Sequence, residues 1–494
     1  ADISVMVCED QEQTDKLLEA RASLPALRKI IVMETKGLRS FSPEERALII
    51  PFAEVEQLGA ASLAQPTIDA ALTAQTLNDI GLIIYTSGST GKPKGAMLSW
   101  RNIRGVVPGI VERLQLRRDS SHLSYLPLCH VAEQMLTSFV PPYLGSQVNF
   151  GESIRTVQED LREVAPSIFL GVPRIWEKMH ATLSIKRQEA AGLRGALFDR
   201  ALAACAPLAD KARADWSLGE RARFAWHYWL VFRALQNFCG LRRTQVALTG
   251  AAPIPPDVVR FFRVIGVPLI EVYGLTESSG MVTGHPLDHV VIGTVGTPTV
   301  GVEHRIGAQG ELLLRGDMVF AGYYKNPEAT AQSIQDGWLH TGDVVREDSG
   351  QLKIVDRLKD IMITAGGKNL TPSEIENTMK ASPYIKECIV VADARRFVSA
   401  LVMIDFDTVA QWAQAQRIAF THFRSLVELP VVRALIEQEV ARGNAKLAQV
   451  SQIRKFHLLT KELDHDDGEV TATMKVRRSS IYKTYADDIE ALYA

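Results

Sequence analysis

Apolar bursts that alternate with helical periodicity restrict the fold of this chain more than any other feature. "ISVMVCE" (3–9) and "LRKIIVME" (27–34) are two such bursts, and the segment between them reads as a helix carrying Leu17, Leu18 and Leu24. Strand, helix and strand in that order imply a parallel sheet with helices on its faces. The rhythm continues downstream. Val258, Phe261, Phe262 and Ile265 stand at i, i+3, i+4 and i+7 between Pro255-Pro256 and Gly266, and "PLIEVYG" follows as a buried strand. From Gly293 the texture changes to short Gly-bounded strands such as "GELLLRG" and "GQLKIVDR", as in a small barrel-like or antiparallel layer. A new unit is expected beyond Lys359, after the charged DRLKD. There Thr371 offers an N-cap, Pro372 the first helical position and Glu374 a capping box, ahead of strands "ECIVVAD" and "SALVMIDF".

Composition narrows the class. At about 150 residues per domain, 494 residues make three units, or one large and one small. The apolar fraction of 46% and charged fraction of 23% are those of a globular protein. A net charge of −2 directs the chain as a whole to neither nucleic acid nor anionic lipid. Cys8, Cys129, Cys205, Cys239 and Cys388 lie far apart with no C-x-x-C, which argues against a zinc site or disulfide framework and fits a reducing cytosol. No apolar run reaches the roughly 18 residues of a membrane span, and no secretory signal opens the chain at Ala1. A cytoplasmic location is therefore expected. Residues 181–245 stand apart, Ala/Arg-rich and helical in texture, with eleven Lys or Arg against five Asp or Glu. This stretch reads either as a helical insertion with a solvated basic face or as a surface for acidic head groups or a greasy substrate. In the second reading the chain makes a peripheral contact at the inner face of a membrane.

The chemistry concentrates in Tyr85-Thr86-Ser87-Gly88-Ser89-Thr90-Gly91-Lys92-Pro93-Lys94-Gly95, between the apolar "GLII" and the helix-like "SWRNIRGVV". Glycines let backbone N–H groups converge on an anion, hydroxyls donate further bonds and lysine adds a point charge, a combination suited to phosphate. A Walker A loop is excluded: its spacing demands glycine where Thr86 stands and Ser or Thr where Pro93 stands. A plain surface loop is the competing reading.

YTSGSTGKPKGAMLSW resembles the AMP-binding signature of the adenylate-forming superfamily of acyl-CoA synthetases, luciferases and adenylation domains. Tyr273-Gly274-Leu275-Thr276-Glu277 resembles its YGxTE segment, "GWLHTGDVV" its TGD segment, "DRLKDIMITAGGKNLTPSEIE" its hinge and "TATMKVRR" its catalytic-lysine segment. "LPLCHVAEQM", "VPRIWEKM" and the helical insertion are most similar to long-chain fatty acyl-CoA synthetases. The fold this implies is α/β: a large N-terminal domain of stacked αβ sheets plus a barrel-like layer over 1–358, and a small mobile α+β domain over 359–494. Family members carry a segment before the stretch equivalent to Ala1, so the chain is expected to begin inside the large domain.

The activity implied is ATP-dependent ligation of a long-chain fatty acid to coenzyme A through acyl-AMP. Alternatives are adenylation of another carboxylic acid, or a silent nucleotide- or acyl-binding module; oligomerisation stays open. By resemblance Thr86, Ser87, Gly88, Ser89, Thr90, Gly91 and Lys94 would hold the ATP phosphates. Glu277, with Thr276 beside it, would hold Mg²⁺, a hard cation that prefers carboxylate oxygens; its other reading is a solvated turn acid. Tyr273 and Gly274 would face adenine, with Gly250, Ala251 and Ala252 at its edge, although Tyr273 also reads as core packing. Asp343 would accept the ribose hydroxyls, with Arg357 assisting. Lys475 would bridge carboxylate and α-phosphate; without the family it is a surface lysine. Lys359 would be the hinge, Gly366, Gly367 and Lys368 would admit CoA, and His130 would orient the reacting carboxyl or simply be a core histidine.

Overall fold

The computed structural model describes residues 2–494 apart from Arg39, Ser40, Leu63, residues 87–92, Ala191, His465, Asp466 and residues 471–475. Residues Ala1–Thr76 and Leu77–Ala494 form two compact units. In the first, the apolar bursts are β1 (Val5–Cys8) and β2 (Lys29–Val32), paired in parallel, with β3 (Ile49–Pro51) parallel to β2. Ile30 and Val32 are buried with Cys8 and Leu27. Asp10 caps the intervening helix Gln11–Glu19, accepting from the Gln13 amide. Leu17 and Leu18 lie on that helix. Leu24 does not, because the residue before Pro25 is driven out of helical geometry.

The second unit opens with an antiparallel hairpin of β4 (Ile80–Thr86) and β5 (Lys94–Ser99), in which Thr86 stands opposite Lys94. Ser99 and Asn102 then cap the helix Trp100–Arg113 reciprocally. Five parallel strands follow: β6 (Ser121–Ser124), β7 (Gln147–Phe150), β8 (Ile168–Leu170), β9 (Val246–Thr249) and β10 (Leu269–Leu275). With β11 (Gly280–Gly284) and β12 (Thr297–Pro298) added antiparallel, the order is β12-β11-β10-β9-β8-β6-β7. The central strands are buried on both faces. Ile168, Leu170, Val246 and Leu248 join one core, while Phe169 and Ala247 join the other, with Trp176 and Phe262.

The Ala/Arg-rich stretch forms helices Pro173–Glu189, Leu193–Cys205, Leu218–His227 and Arg233–Cys239, the last two joined by a π-helical turn at Tyr228–Phe232. Its aromatic residues divide. Phe232 is buried and Phe238 packs on the core, but Trp226 and Trp229 are each 67% exposed.

Next comes the antiparallel layer. It holds β13 (Glu303–Ile306) and β14 (Glu311–Arg315), while β15 (Gly322–Tyr323) returns to pair with β5. β16 (Ile334–Gln335), β17 (Trp338–Asp348) and β18 (Gln351–Arg357) complete it. The β17–β18 turn places Ser349 and Gly350 at φ of 53° and 76°, the left-handed pair that a tight hairpin requires.

From Met362 onward the chain has cores of its own. A short hairpin, β19 (Met362–Ile363) with β20 (Asn369–Leu370), precedes the sheet of β21 (Ile385–Val391), β22 (Val398–Ile404) and β23 (Ile453–Leu458). The middle strand, β22, is buried along its whole length. Thr371 and Pro372 do open the helix Pro372–Lys380, but the expected capping box does not form. Asp356 on β18 takes that role, its carboxylate accepting from the Ser373 amide at 3.0 Å and the Ser373 hydroxyl at 2.9 Å. A carboxylate from a distant strand outcompetes the local Thr–Glu exchange because it satisfies two donors at once. Among the described residues no helix is long and apolar enough to cross a membrane, and all five cysteines are free thiols.

Candidate active site

β9 and β10 end side by side, and the first cluster forms where they do. Gly250 follows β9, and a Cβ there would lie 2.9 Å from the Val272 carbonyl oxygen and 3.1 Å from its Cγ2, so only glycine permits this approach. Ala251, at φ 67°, and Ala252 continue as an exposed turn. On β10 the Tyr273 ring is buried, and its hydroxyl donates to Asp343 Oδ2 at 2.7 Å. A register irregularity between Tyr273 and Gly274 turns the strand at this point.

Asp343 stands opposite Arg357 in the β17–β18 ladder, with Arg357 Nε 3.5 Å from Asp343 Oδ1. Its two oxygens thus point to two partners, while the side chain is only 7% exposed. Burial, then the negative charge of Asp343, raises the Tyr273 phenol well above its ordinary value, so it stays a donor. The Thr341 hydroxyl accepts from the Asp343 amide at 3.1 Å and donates to the Leu312 carbonyl at 2.7 Å, pinning the strand behind the carboxylate.

A second cluster surrounds Glu277, in the turn Thr276–Ser278 that follows β10. The Tyr323 hydroxyl donates to Glu277 Oε1 at 2.7 Å, and the Phe320 amide donates to the Glu277 carbonyl at 2.9 Å. Lys94 Nζ lies 5.2 Å above the Tyr323 ring. β15 pairs Tyr323 with Ala96, and the Tyr324 amide donates to the Gly95 carbonyl at 2.7 Å. The Glu277 carboxylate is therefore tied to the base of the glycine-hydroxyl loop, where the Thr86 hydroxyl lies 3.5 Å from the Lys94 carbonyl. Ser87, Gly88, Ser89, Thr90 and Gly91 lie outside the described residues, as does Lys475.

The remaining predicted residues occupy separate places. Leu358 donates to the Gly342 carbonyl at 2.8 Å, which brings Lys359 up behind Asp343. Burial, the largest influence, holds the Lys359 amine below its ordinary pKa. Gly366, Gly367 and Lys368 form the exposed tip of the β19–β20 hairpin, where the Lys368 amide donates to Thr364 Oγ1 at 3.1 Å. His130 is the N-terminal cap residue of the short helix Val131–Gln134, which packs against β11. Behind it lies a buried pair that sequence reading did not single out: His122 Nε2 is 3.5 Å from Glu133 Oε1, which also accepts from the Thr137 hydroxyl at 2.7 Å. Tyr323, Thr341 and Asp356 were also missed. Thr341 and Asp356 lie inside the quoted "GWLHTGDVV" and DRLKD without being singled out, and for Tyr323 the local hint was the turn-rich "GYYKNPEAT", in which nothing names Glu277 as a partner.

A model of the AMP-binding enzyme family matches residues 1–324, and a model of the AMP-binding enzyme C-terminal domain matches residues 359–494. A putative fatty-acid–CoA ligase of Mycobacterium tuberculosis is 38% identical over 431 residues, covering 84% of this chain and 74% of that protein. A long-chain-fatty-acid–CoA ligase of Mycobacterium bovis is 33% identical over 502 residues, covering 99% and 80%. Among solved structures, the A domain of a carboxylic acid reductase from Segniliparus rugosus, in complex with AMP and a co-purified carboxylic acid, superposes with a TM-score of 0.71 at 22% identity, covering 99% of this chain and 75% of that one. An anthranilate CoA ligase in complex with anthranoyl-AMP gives 0.66 at 19% identity, covering 99% and 80%. At those identities the two structures establish a shared fold.

Proposed function

The chain belongs to the AMP-binding, adenylate-forming enzyme family, as a ligase that makes carbon–sulfur bonds, and we propose that it joins a long-chain fatty acid to coenzyme A in two steps. A carboxylate is a poor acyl donor because oxide would have to leave. In the first step its oxygen attacks the ATP α-phosphorus and the bond to pyrophosphate breaks. In the second the CoA thiolate attacks the acyl carbon of the mixed anhydride and AMP departs. Neither step needs a protein nucleophile, so the protein's part is positioning and charge stabilisation.

The observation that carries this reading is the Tyr273–Asp343–Arg357 cluster at the strand ends, with Glu277 tied through Tyr323 to the phosphate-type loop. Asp343 accepts the ribose hydroxyls, Tyr273 and Gly274 flank the adenine, and Gly250 to Ala252 leave room at its edge. Thr86, Ser87, Gly88, Ser89, Thr90, Gly91 and Lys94 hold the phosphates. Glu277 offers its free carboxylate oxygen to Mg²⁺, which when bound neutralises phosphate charge. His130 orients the fatty carboxyl.

We place the lobe boundary at 358/359, with Lys359 as hinge between an adenylating and a thioester-forming arrangement. In the second arrangement Gly366, Gly367 and Lys368 face the nucleotide and admit the thiol. The cores that begin only at Met362 support that boundary. The test is Lys475→Ala. It abolishes acid-dependent pyrophosphate release while transfer from preformed acyl-AMP to CoA continues near the wild-type rate. Equal loss of both half-reactions overturns the role of Lys475. A panel of acids in the same assay that favours short aryl or amino acids overturns the long-chain assignment.

A further inference from the structure

The helix running from Leu218 through Cys239 is apolar on two sides, although one suffices to anchor it. Its inner stripe is Phe224, Tyr228 and Phe232, with ring centroids 6.1 Å and 5.9 Å from Phe224 and Phe232 fully buried. Its outer stripe is Trp226, Trp229 and Leu230, exposed by 67%, 67% and 51%. The neighbouring helix Leu193–Cys205, which packs alongside, adds Leu193 at 75% and Leu197 at 39% exposure. With Leu218 at 86%, two exposed tryptophans and four exposed leucines on one helical pair exceed what a solvated face needs.

The charges around this face are one-sided. Asp199 pairs with Arg187, Asp210 with Arg260 and Glu220 with Lys211. Among the described residues Arg194, Arg200 and Arg223 form no ion pair, and all three are exposed. Arg223 stands one turn before Trp226 on its helix and Arg200 one turn after Leu197 on the other; His227, on the side of Phe232, has its imidazole held below its ordinary pKa by burial first and then by those two charges. Arg233 lies over the Trp229 ring at 4.8 Å. Tryptophans ringed by arginines on an amphipathic helix match the depth profile of a lipid headgroup layer, apolar ring inward and cation at the phosphates.

We propose that the face formed by Trp226, Trp229, Leu230 and Leu197, flanked by Arg200 and Arg223, docks on a bilayer that carries anionic phospholipid. The guanidiniums supply the charge complementarity and the indoles insert at headgroup level. The proposal does not depend on the ligase chemistry, and its test involves no turnover. The full chain is sedimented with vesicles of phosphatidylcholine alone and with vesicles that also contain phosphatidylglycerol, at low and at high salt.

At low salt, binding is about tenfold stronger to the anionic vesicles, and the preference shrinks as salt rises. Arg200→Glu with Arg223→Glu abolishes that preference. Trp226→Ser with Trp229→Ser lowers binding by about tenfold and removes the blue shift of tryptophan emission on vesicle addition. Unchanged melting temperatures in both double variants show that the fold is intact. Binding that ignores lipid charge, or that survives both double variants, overturns the proposal. So does absence of vesicle binding together with a concentration-dependent dimer that the tryptophan variant dissolves, which would make a second copy the occupant.

Discussion

The cluster around Asp343 and the seam that ties the residues beyond Met362 to the helices Pro173–Glu189 and Pro256–Val264 are both built from charged side chains, yet they are opposite constructions. Asp343 is almost wholly enclosed, and its oxygens face Tyr273 and Arg357, side chains from two further strands, each oxygen having a second lone pair. The seam consists of Arg174 to Asp405 at 2.7 Å, Lys178 to Asp407 at 3.6 Å and Lys446 to Asp257 at 2.6 Å. Both side chains of the last pair are more than half exposed. A buried, hydrogen-bonded charge is costly to disturb, whereas an exposed ion pair contributes about 0–1 kcal/mol. The Asp343 cluster is thus held firmly by its neighbours, and the exposed pair of the seam, Lys446 with Asp257, adds little. Under the two-step reaction proposed above, an enzyme that works twice around one nucleotide needs that division.

The comparison breaks most visibly at Asp343. Asp343→Ala deprives the buried Tyr273 hydroxyl of its acceptor, an expected loss of about 1–3 kcal/mol of stability. It also lowers kcat/KM for acid-dependent pyrophosphate release by at least about a hundredfold. Calorimetry and the release assay read the two effects, and near-normal turnover would remove Asp343 from the nucleotide site.

Asp356 joins the two regions, one residue before Arg357 and bonded to Ser373 at the start of the helix Pro372–Lys380. Asp356→Ala costs about 1 kcal/mol as a lost cap, seen as a lower melting temperature. Ser373→Ala alone, which keeps the amide donor, costs less. Equal losses would mean the hydroxyl, not the helix end, is what Asp356 serves.

The smallest stability effect is expected at the seam. Burial pushes the Asp405 carboxyl up, but the Arg174 guanidinium and the bonds from Thr408 outweigh it and hold the group below its ordinary value. Its contribution is therefore complete above the unfolded value of about 3.9 and is lost as pH falls through the lower native one. Lys446→Ala, which removes the pair with both side chains exposed, lowers stability by about 0.2–1 kcal/mol but alters the ratio of the two half-reaction rates, and added salt moves the wild type in the same direction. A melting temperature that falls as far as in Asp343→Ala would erase the contrast between the regions.

Local pattern made much of this legible. The parallel strands, the helix Pro256–Val264 and the antiparallel layer from β13 to β18 all follow from periodicity and glycine placement, which act over a few residues. Thr371 shows the limit of such reasoning. A good N-cap sequence lost its role to Asp356 because the competing acceptor arrives from a strand folded alongside. The tryptophans show it again. The sequence left this stretch either a helical insertion or a surface, and only the neighbouring helices decided that Phe224 and Tyr228 pack inward while Trp226 and Trp229 stay exposed.

By itself the chain of residues determined the family, through motifs whose glycines, hydroxyls and acids stand in a fixed order from Tyr85 to Arg478. It also determined the α/β alternation. Tertiary structure alone decided that Tyr323 would clasp Glu277, that Tyr273 and Arg357 would take the two oxygens of Asp343, and that an arginine-flanked tryptophan face would stay outside. The physical reason is range. Backbone preferences are set by near neighbours, but a side chain's partner and its exposure are set by whichever distant segment the closed fold brings against it.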